Sequence, residues 1–132
     1  MDHLSAESRS KVMASIRGQD TEPELLVRKS LWAERKRYRI HDRSVPGTPD
    51  LSNKKKRVAV FIDGCFWHGC PLCYKEPTTN VGYWRNKIRD NRERRMRVLA
   101  GLQINKWTVF EFWEHQVRQD PSAVSHKIAK KL

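Results

Sequence analysis

An α/β fold, a mixed central sheet flanked by helices, is predicted by three features of the sequence. Residues 57–62, RVAVFI, form a continuous apolar and β-branched run of the kind buried on both faces of a sheet. Residues 107–113, WTVFEFW, form a second such run, expected as a second central strand. Between them, residues 81–102 place Trp84, Ile88, Arg95, Val98, Leu99 and Leu102 at helical spacings, and a helix joining two strands makes them parallel.

The other elements follow in order. Residues 5–17, SAESRSKVMASIR, have helix-tolerant composition and a thin apolar stripe, so a short basic helix is expected, ended by Gly18. Thr21-Glu22-Pro23-Glu24 reads as a capping box opening a helix to about Lys36 that turns Leu25, Leu26, Leu31 and Trp32 inward. A short strand is expected at residues 38–41. The turn formers of DRSVPGTPD lead to Asp50 at the start of another strand, and a basic turn at residues 53–56 makes the neighbouring strands antiparallel. Gly, Pro and Cys keep residues 63–80 irregular, and a last amphipathic helix runs from Val117 with Val124 and Ile128 on one face. Residues 1–132 read as one domain, without internal repeat or linker.

Charge narrows the function classes. Twenty-seven Lys and Arg against fifteen Asp and Glu give +12, the balance of a protein that neutralises phosphates. Seven of the basic residues lie between Arg85 and Arg97 on the long helix. No apolar segment has the length of a membrane span or the form of a signal peptide. Three cysteines, an odd number, suit a metal site in a reducing cytosol better than a disulfide framework.

Those cysteines all fall within FIDGCFWHGCPLC, residues 61–73. Cys65, Cys70 and Cys73 supply three thiolates, and tetrahedral zinc needs a fourth ligand. Two histidines compete: His68 would complete a local knuckle, whereas His115 lies 42 residues beyond Cys73. Spacing alone favours His68.

The acids suggest hydrolysis. Asp50 follows Pro49 at a loop-to-strand junction, and the RVAVFI strand returns beside it to end at Ile62 and Asp63. Many nucleases hold Mg2+ between a carboxylate on one strand and a carboxylate or carbonyl on its neighbour, because a hard cation requires oxygen ligands. The plainer alternative for Asp50 is an ordinary turn cap. The Lys that usually stands two residues after the second acid is Cys65 here, so either the site is inactive or another base substitutes; His68 titrates in the right range.

Taken together, RSKVM at residues 9–13, Thr21 with Glu24, PGTPD at 46–50, VFIDGCFWHGC at 60–70, Tyr83-Trp84 before Lys87-Ile88, Asn91, and Trp107 to Glu114 resemble the very-short-patch repair (Vsr) endonucleases over nearly the whole chain. The resemblance implies a restriction-endonuclease-like fold related to the PD-(D/E)xK nucleases, with a structural zinc site, and Mg2+-dependent nicking of DNA 5′ to the thymine of a T:G mismatch, leaving a 5′-phosphate. It implies Asp50 as the Mg2+ carboxylate, Ile62 as a ligand through its backbone carbonyl, His68 as general base and Glu24 as the acid holding metal-bound water. It reverses the zinc choice, making Cys65, Cys70, Cys73 and His115 the tetrad. It also implies that Phe66, Trp67 and Trp84 enter the base stack, where unstacking is cheapest at a mismatch. Met13, in a basic DNA-contacting helix at residues 1–18, would insert from the other groove, and Lys87 and Asn91 would read base edges.

A well-known family member carries His at the position of Asp63, so Asp63 is either an added metal ligand or a residue that tunes the site. CPLC replaces a His-rich run, and His115 stands where that member has Cys. The family further implies a monomer in the bacterial cytoplasm at the nucleoid, with mismatch-repair proteins or a cytosine methyltransferase as partners. Two competing readings remain: a site-specific homing or restriction-like nuclease of the same fold, and a zinc-stabilised DNA-binding protein without catalysis.

Overall fold

A computed structural model describes residues 20–132. The expected basic helix at residues 5–17, and Met13 with it, lie outside the described residues. Helix α1 spans Glu22–Ala33, and strands β1 (Arg39–Ile40), β2 (Leu51–Asn53) and β3 (Val58–Asp63) follow. Helix α2 (Val81–Ile104) crosses to β4 (Thr108–Trp113), and α3 (Glu114–Gln119) and α4 (Pro121–Ala129) end the chain. The sheet order is β1-β2-β3-β4. β1 pairs with β2 and β2 with β3 antiparallel, while β3 and β4 are parallel, as the turn and the crossover helix require.

All six residues of β3 are buried, because helices cover both of its faces. Val58, Val60 and Ile62 pack with Val27 and Leu31 of α1, Val117 of α3 and Ile128 of α4. Ala59 and Phe61 face the other way, toward Leu102 and Val98 of α2. β3 is thus the centre of a helix–sheet–helix sandwich. Asp63, next in the alternation after Phe61, belongs to the α2 side.

Several expectations are corrected. β4 is an edge strand among the described residues, and its side chains are only half-buried apart from exposed Glu111. The capping box does not form: Thr21 is the N-cap but makes no side-chain cap bond, and the Glu24 carboxylate accepts instead from the Asp20 N–H (3.1 Å). Pro23, Glu24 and Val27 are the buried residues of α1 beside Leu31, while Trp32 (77% exposed) and Leu25 face outward. The final helix is two helices, because Asp120 caps α4 by accepting from the Ala123 N–H and Pro121 fits only its first turn.

Candidate functional site

β3 and β4 end side by side at Asp63 and Trp113, and the conspicuous residues collect beyond these carboxyl ends, where open α/β sheets generally hold ligands. A cleft of about 580 Å³ opens there, bounded by Glu24 from α1, Asp50, Ile62 and Asp63 from the strand ends, and Trp67 and His68 from the following loop. Asp50 precedes β2, and since β2 stops short of Ile62, the Ile62 N–H lacks a ladder partner there. It donates to Asp50 Oδ2 at 2.6 Å. That bond fixes the carboxylate at the end of β3.

The electrostatics of Asp50 are unusual. Burial pushes its carboxyl up to about 8, the charges of Glu24 and Asp63 push in the same direction, and the Ile62 N–H opposes them. Hard oxygen donors crowded with too much negative charge are what a divalent cation satisfies.

Glu24, only 1% exposed, is held by two further polar groups. Arg28 Nη2 donates to its Oε2 at 2.9 Å, and His41 Nε2 lies 3.1 Å from the same oxygen. Arg28 also binds Asp20 at 2.8 Å. Asp20, Glu24 and His41 converge closely enough for a metal, but the guanidinium already occupies their centre.

His68 stands on the other wall, its Nε2 3.7 Å from Asp63 Oδ1. Burial lowers its pKa below the usual histidine value, Asp63 opposes, and Arg95 and Arg94 lower it further. The imidazole is therefore neutral at physiological pH, with an acceptor nitrogen available. Asp63 is not free: Arg95 Nη1 donates to its two oxygens at 2.7 and 2.5 Å. Sequence reasoning put Arg95 in the apolar stripe of the long helix without a function. An arginine at an inward position was the available signal.

The thiols form a separate cluster. His115 Nδ1 lies 3.4 Å from Cys65 Sγ, 3.6 Å from Cys70 Sγ and 3.4 Å from Cys73 Sγ. Zn–S bonds of about 2.3 Å and a Zn–N bond of about 2.05 Å at tetrahedral angles separate sulfur from nitrogen by about 3.5 Å. The three sulfur–nitrogen distances thus already match those of a tetrahedral site. His68 is not in the cluster, contrary to the grouping that local spacing favours: its fourth member is His115, in the first turn of α3 just past β4 and 42 residues from Cys73 in sequence. Burial raises the Cys65 thiol to about 12. Burial also raises Cys70, but the N–H groups of Leu72 and Cys73 and hydrogen bonds with the Cys65 and Cys73 thiols together outweigh it and hold that thiol below its ordinary value. Glu114 anchors the loop by accepting from the Cys65 N–H at 2.9 Å.

The aromatics form one group. Ring centroids of Phe66 and Trp67, and of Phe66 and Trp84, are 5.2 Å apart, and those of Trp67 and Trp84 are 5.8 Å apart. Each is half-buried, so the group is packed on one side and open on the other. Asn91 Nδ2 donates to the Trp67 carbonyl at 2.9 Å, tying the loop to α2. Lys87 and Arg94 border a neighbouring cleft with Trp67, His68 and Asn91, so the basic helix and the loop share one face.

Comparison with known proteins places these residues in a family. Residues 1–75 match the model described as DNA mismatch endonuclease Vsr. Type II nicking enzyme V.HpaIIP of Haemophilus parainfluenzae is 43% identical over 135 residues, spanning 100% of this chain and 96% of that protein. V.NmeDIP of Neisseria meningitidis serogroup C is 39% identical, over 97% of this chain and 88% of the relative. DNA mismatch endonuclease Vsr of Escherichia coli is 34% identical, over 95% of this chain and 81% of the relative. With over half of its length matched by the family model and these relatives aligned along nearly all of it, the chain belongs to the DNA mismatch endonuclease Vsr family.

Proposed function

We propose that the protein is a Mg2+-dependent endonuclease that nicks one strand of duplex DNA at a T:G mismatch, hydrolysing the phosphodiester 5′ to the mismatched thymine. Its family makes it a DNA endonuclease. The observation that carries the finer reading is the convergence of Glu24, Asp50, Ile62 and His68 on one cleft while His115 joins the cysteines elsewhere.

Asp50 through its carboxylate and Ile62 through its backbone carbonyl would hold Mg2+, with Glu24 orienting water beside them. When bound, the ion supplies positive charge to offset that of the attacked phosphate. His68 does the proton chemistry. A water positioned against its acceptor nitrogen gives up a proton as the water oxygen attacks phosphorus. The P–O3′ bond breaks, leaving a 5′-phosphate on the thymidine and a 3′-hydroxyl protonated from solvent. Asp63 faces the imidazolium that forms. Cys65, Cys70, Cys73 and His115 would hold a structural zinc, whose four protein ligands leave no position for substrate.

Phe66, Trp67 and Trp84 would wedge into the stack at the mismatch, where base steps separate most easily. Lys87 and Asn91 would meet base edges from α2, and Met13 would enter from the opposite groove. Nicking of a single strand suits a monomer. Among the described residues no helix is long and apolar enough to cross a membrane; action on the bacterial nucleoid in the cytoplasm, beside a cytosine methyltransferase and mismatch-repair proteins, completes the proposal.

The test is a nicking assay on paired duplexes differing only in T:G against T:A, with Mg2+ and with EDTA. Nicking confined to the T:G duplex and abolished by EDTA is expected. Equal cleavage of both duplexes would sink the mismatch assignment, and cleavage of both strands would replace nicking with site-specific double-strand cutting.

A further inference from the structure

The side chain of Arg95 reaches from α2 into the space between His68 and the end of β3, bordering all three clefts that meet there. Its guanidinium carbon lies 4.0 Å from the centroid of the Phe61 ring, which fixes the plane of the group. Nη1 alone holds both Asp63 oxygens, at 2.7 and 2.5 Å, and Glu111 Oε2 is 3.7 Å away. Among the described residues nothing accepts from Nε or Nη2. An arginine at 17% side-chain exposure, stacked and charge-paired on one nitrogen, presents two donors at fixed angles. That fork suits a phosphate bound through two oxygens.

The same contacts bear on Asp63. Its charge is already neutralised, and a cation bound to it would stand against the guanidinium. We propose that Arg95 is a catalytic residue that receives the scissile phosphate through Nε and Nη2, and that Asp63 is its positioning counter-ion rather than a ligand of the divalent cation. This rests on the nuclease reading of the cleft and adds to it an electrophilic partner for the phosphate opposite Asp50.

The test compares wild type with Asp63→Asn, Arg95→Gln, the double variant and Arg95→Lys. Single-turnover nicking is measured at saturating Mg2+, and Mn2+ binding to the DNA-free, zinc-loaded proteins is followed by calorimetry. Each single change is expected to slow nicking by about 10²-fold, as loss of one oriented donor does. The double variant is expected to lose little more than either single one, because the two residues act as a unit. Arg95→Lys should restore part of the rate, and Mn2+ affinity should be unchanged in Asp63→Asn. Loss of Mn2+ binding in Asp63→Asn would make Asp63 a ligand and overturn the assignment. So would additive rate losses, or an Arg95→Gln protein that melts earlier yet nicks at the wild-type rate. Should wild type fail to nick T:G duplexes at all, the nuclease reading falls, and the calorimetry still decides the role of Asp63.

Discussion

Two sets of candidate ligands share residues 62–73, and they are built in opposite ways. The Cys65, Cys70, Cys73 and His115 atoms lie at tetrahedral spacing and draw on a loop and the start of α3, held by a bond from Cys65 N–H to Glu114. Its ligands are soft, and the arrangement is closed. The acidic cleft is open, made of hard oxygens, and its charges disfavour one another: Asp50 is pushed to about 8 by burial and by Glu24 and Asp63. The first set has the ligand types and close spacing that could hold a metal; the second gathers carboxylates whose like charges oppose one another.

The sharpest way to break this contrast is to change one set and read the other. Asp50→Asn is expected to lower nicking by about 10³-fold or more, since it removes the carboxylate proposed to hold Mg2+, while zinc content stays at one ion per chain by atomic absorption. Loss of zinc in that variant would merge the two sites. His68→Ala should lower the single-turnover rate by about 10²- to 10⁴-fold, again at full zinc content. A zinc-free His68→Ala protein would return this histidine to the tetrad and rule out its proposed role as base. His115→Ala reverses the pattern: zinc is lost, and thermal unfolding shifts down markedly because binding energy is folding energy.

Acidity offers a further separation. Asp50 has a higher pKa folded, about 8, than unfolded, about 3.9, so the folded state binds its proton more tightly. Its stabilising contribution is fully present below the unfolded value and fades as pH rises toward 8. Without Mg2+, zinc-loaded wild type should therefore melt progressively earlier from pH 5 to 8, Asp50→Asn should show a shallower fall, and Mg2+ should recover most of the loss at pH 8. Melting curves with the same pH slope in both proteins would show that Asp50 carries no such burden. The smallest effect is expected from Asn91→Ala, which frees the Trp67 carbonyl: about 1 kcal/mol of stability, read from denaturant unfolding, and a modest loss of T:G nicking.

Local chemistry announced much of this. RVAVFI could only be a buried strand, and its length, the basic turn before it and the crossover helix after it set both pairing directions. The three cysteines pointed to a cluster that could hold a metal, and they do come together. What stayed hidden depends on contacts between distant residues. Spacing along the chain favours His68 over His115, because nothing in the sequence near Cys73 says that β4 will end beside it. Thr21 and Glu24 match a capping box, but the half-buried Arg28 and His41 draw the Glu24 carboxylate away from the helix start. Trp32 sits on the helical stripe by count alone and points to solvent, while Glu24 takes the inward position because it has polar partners there. Arg95 was visible only as an arginine among apolar neighbours. Its partner Asp63 lies 32 residues away.

Gly69 carries a consequence for redesign. Its φ of +65° and the closeness of Ile88, whose Cγ2 would stand 2.8 Å from any Cβ added there, mean that the loop lies directly on α2. Cys70 is the next residue, and Asn91 from the same helix clasps Trp67. The cysteine loop is therefore not a portable zinc finger. Grafted onto another scaffold without α2, it would lose the surface that sets its backbone, and the aromatic group, His68 and the three cysteines would all lose their common template.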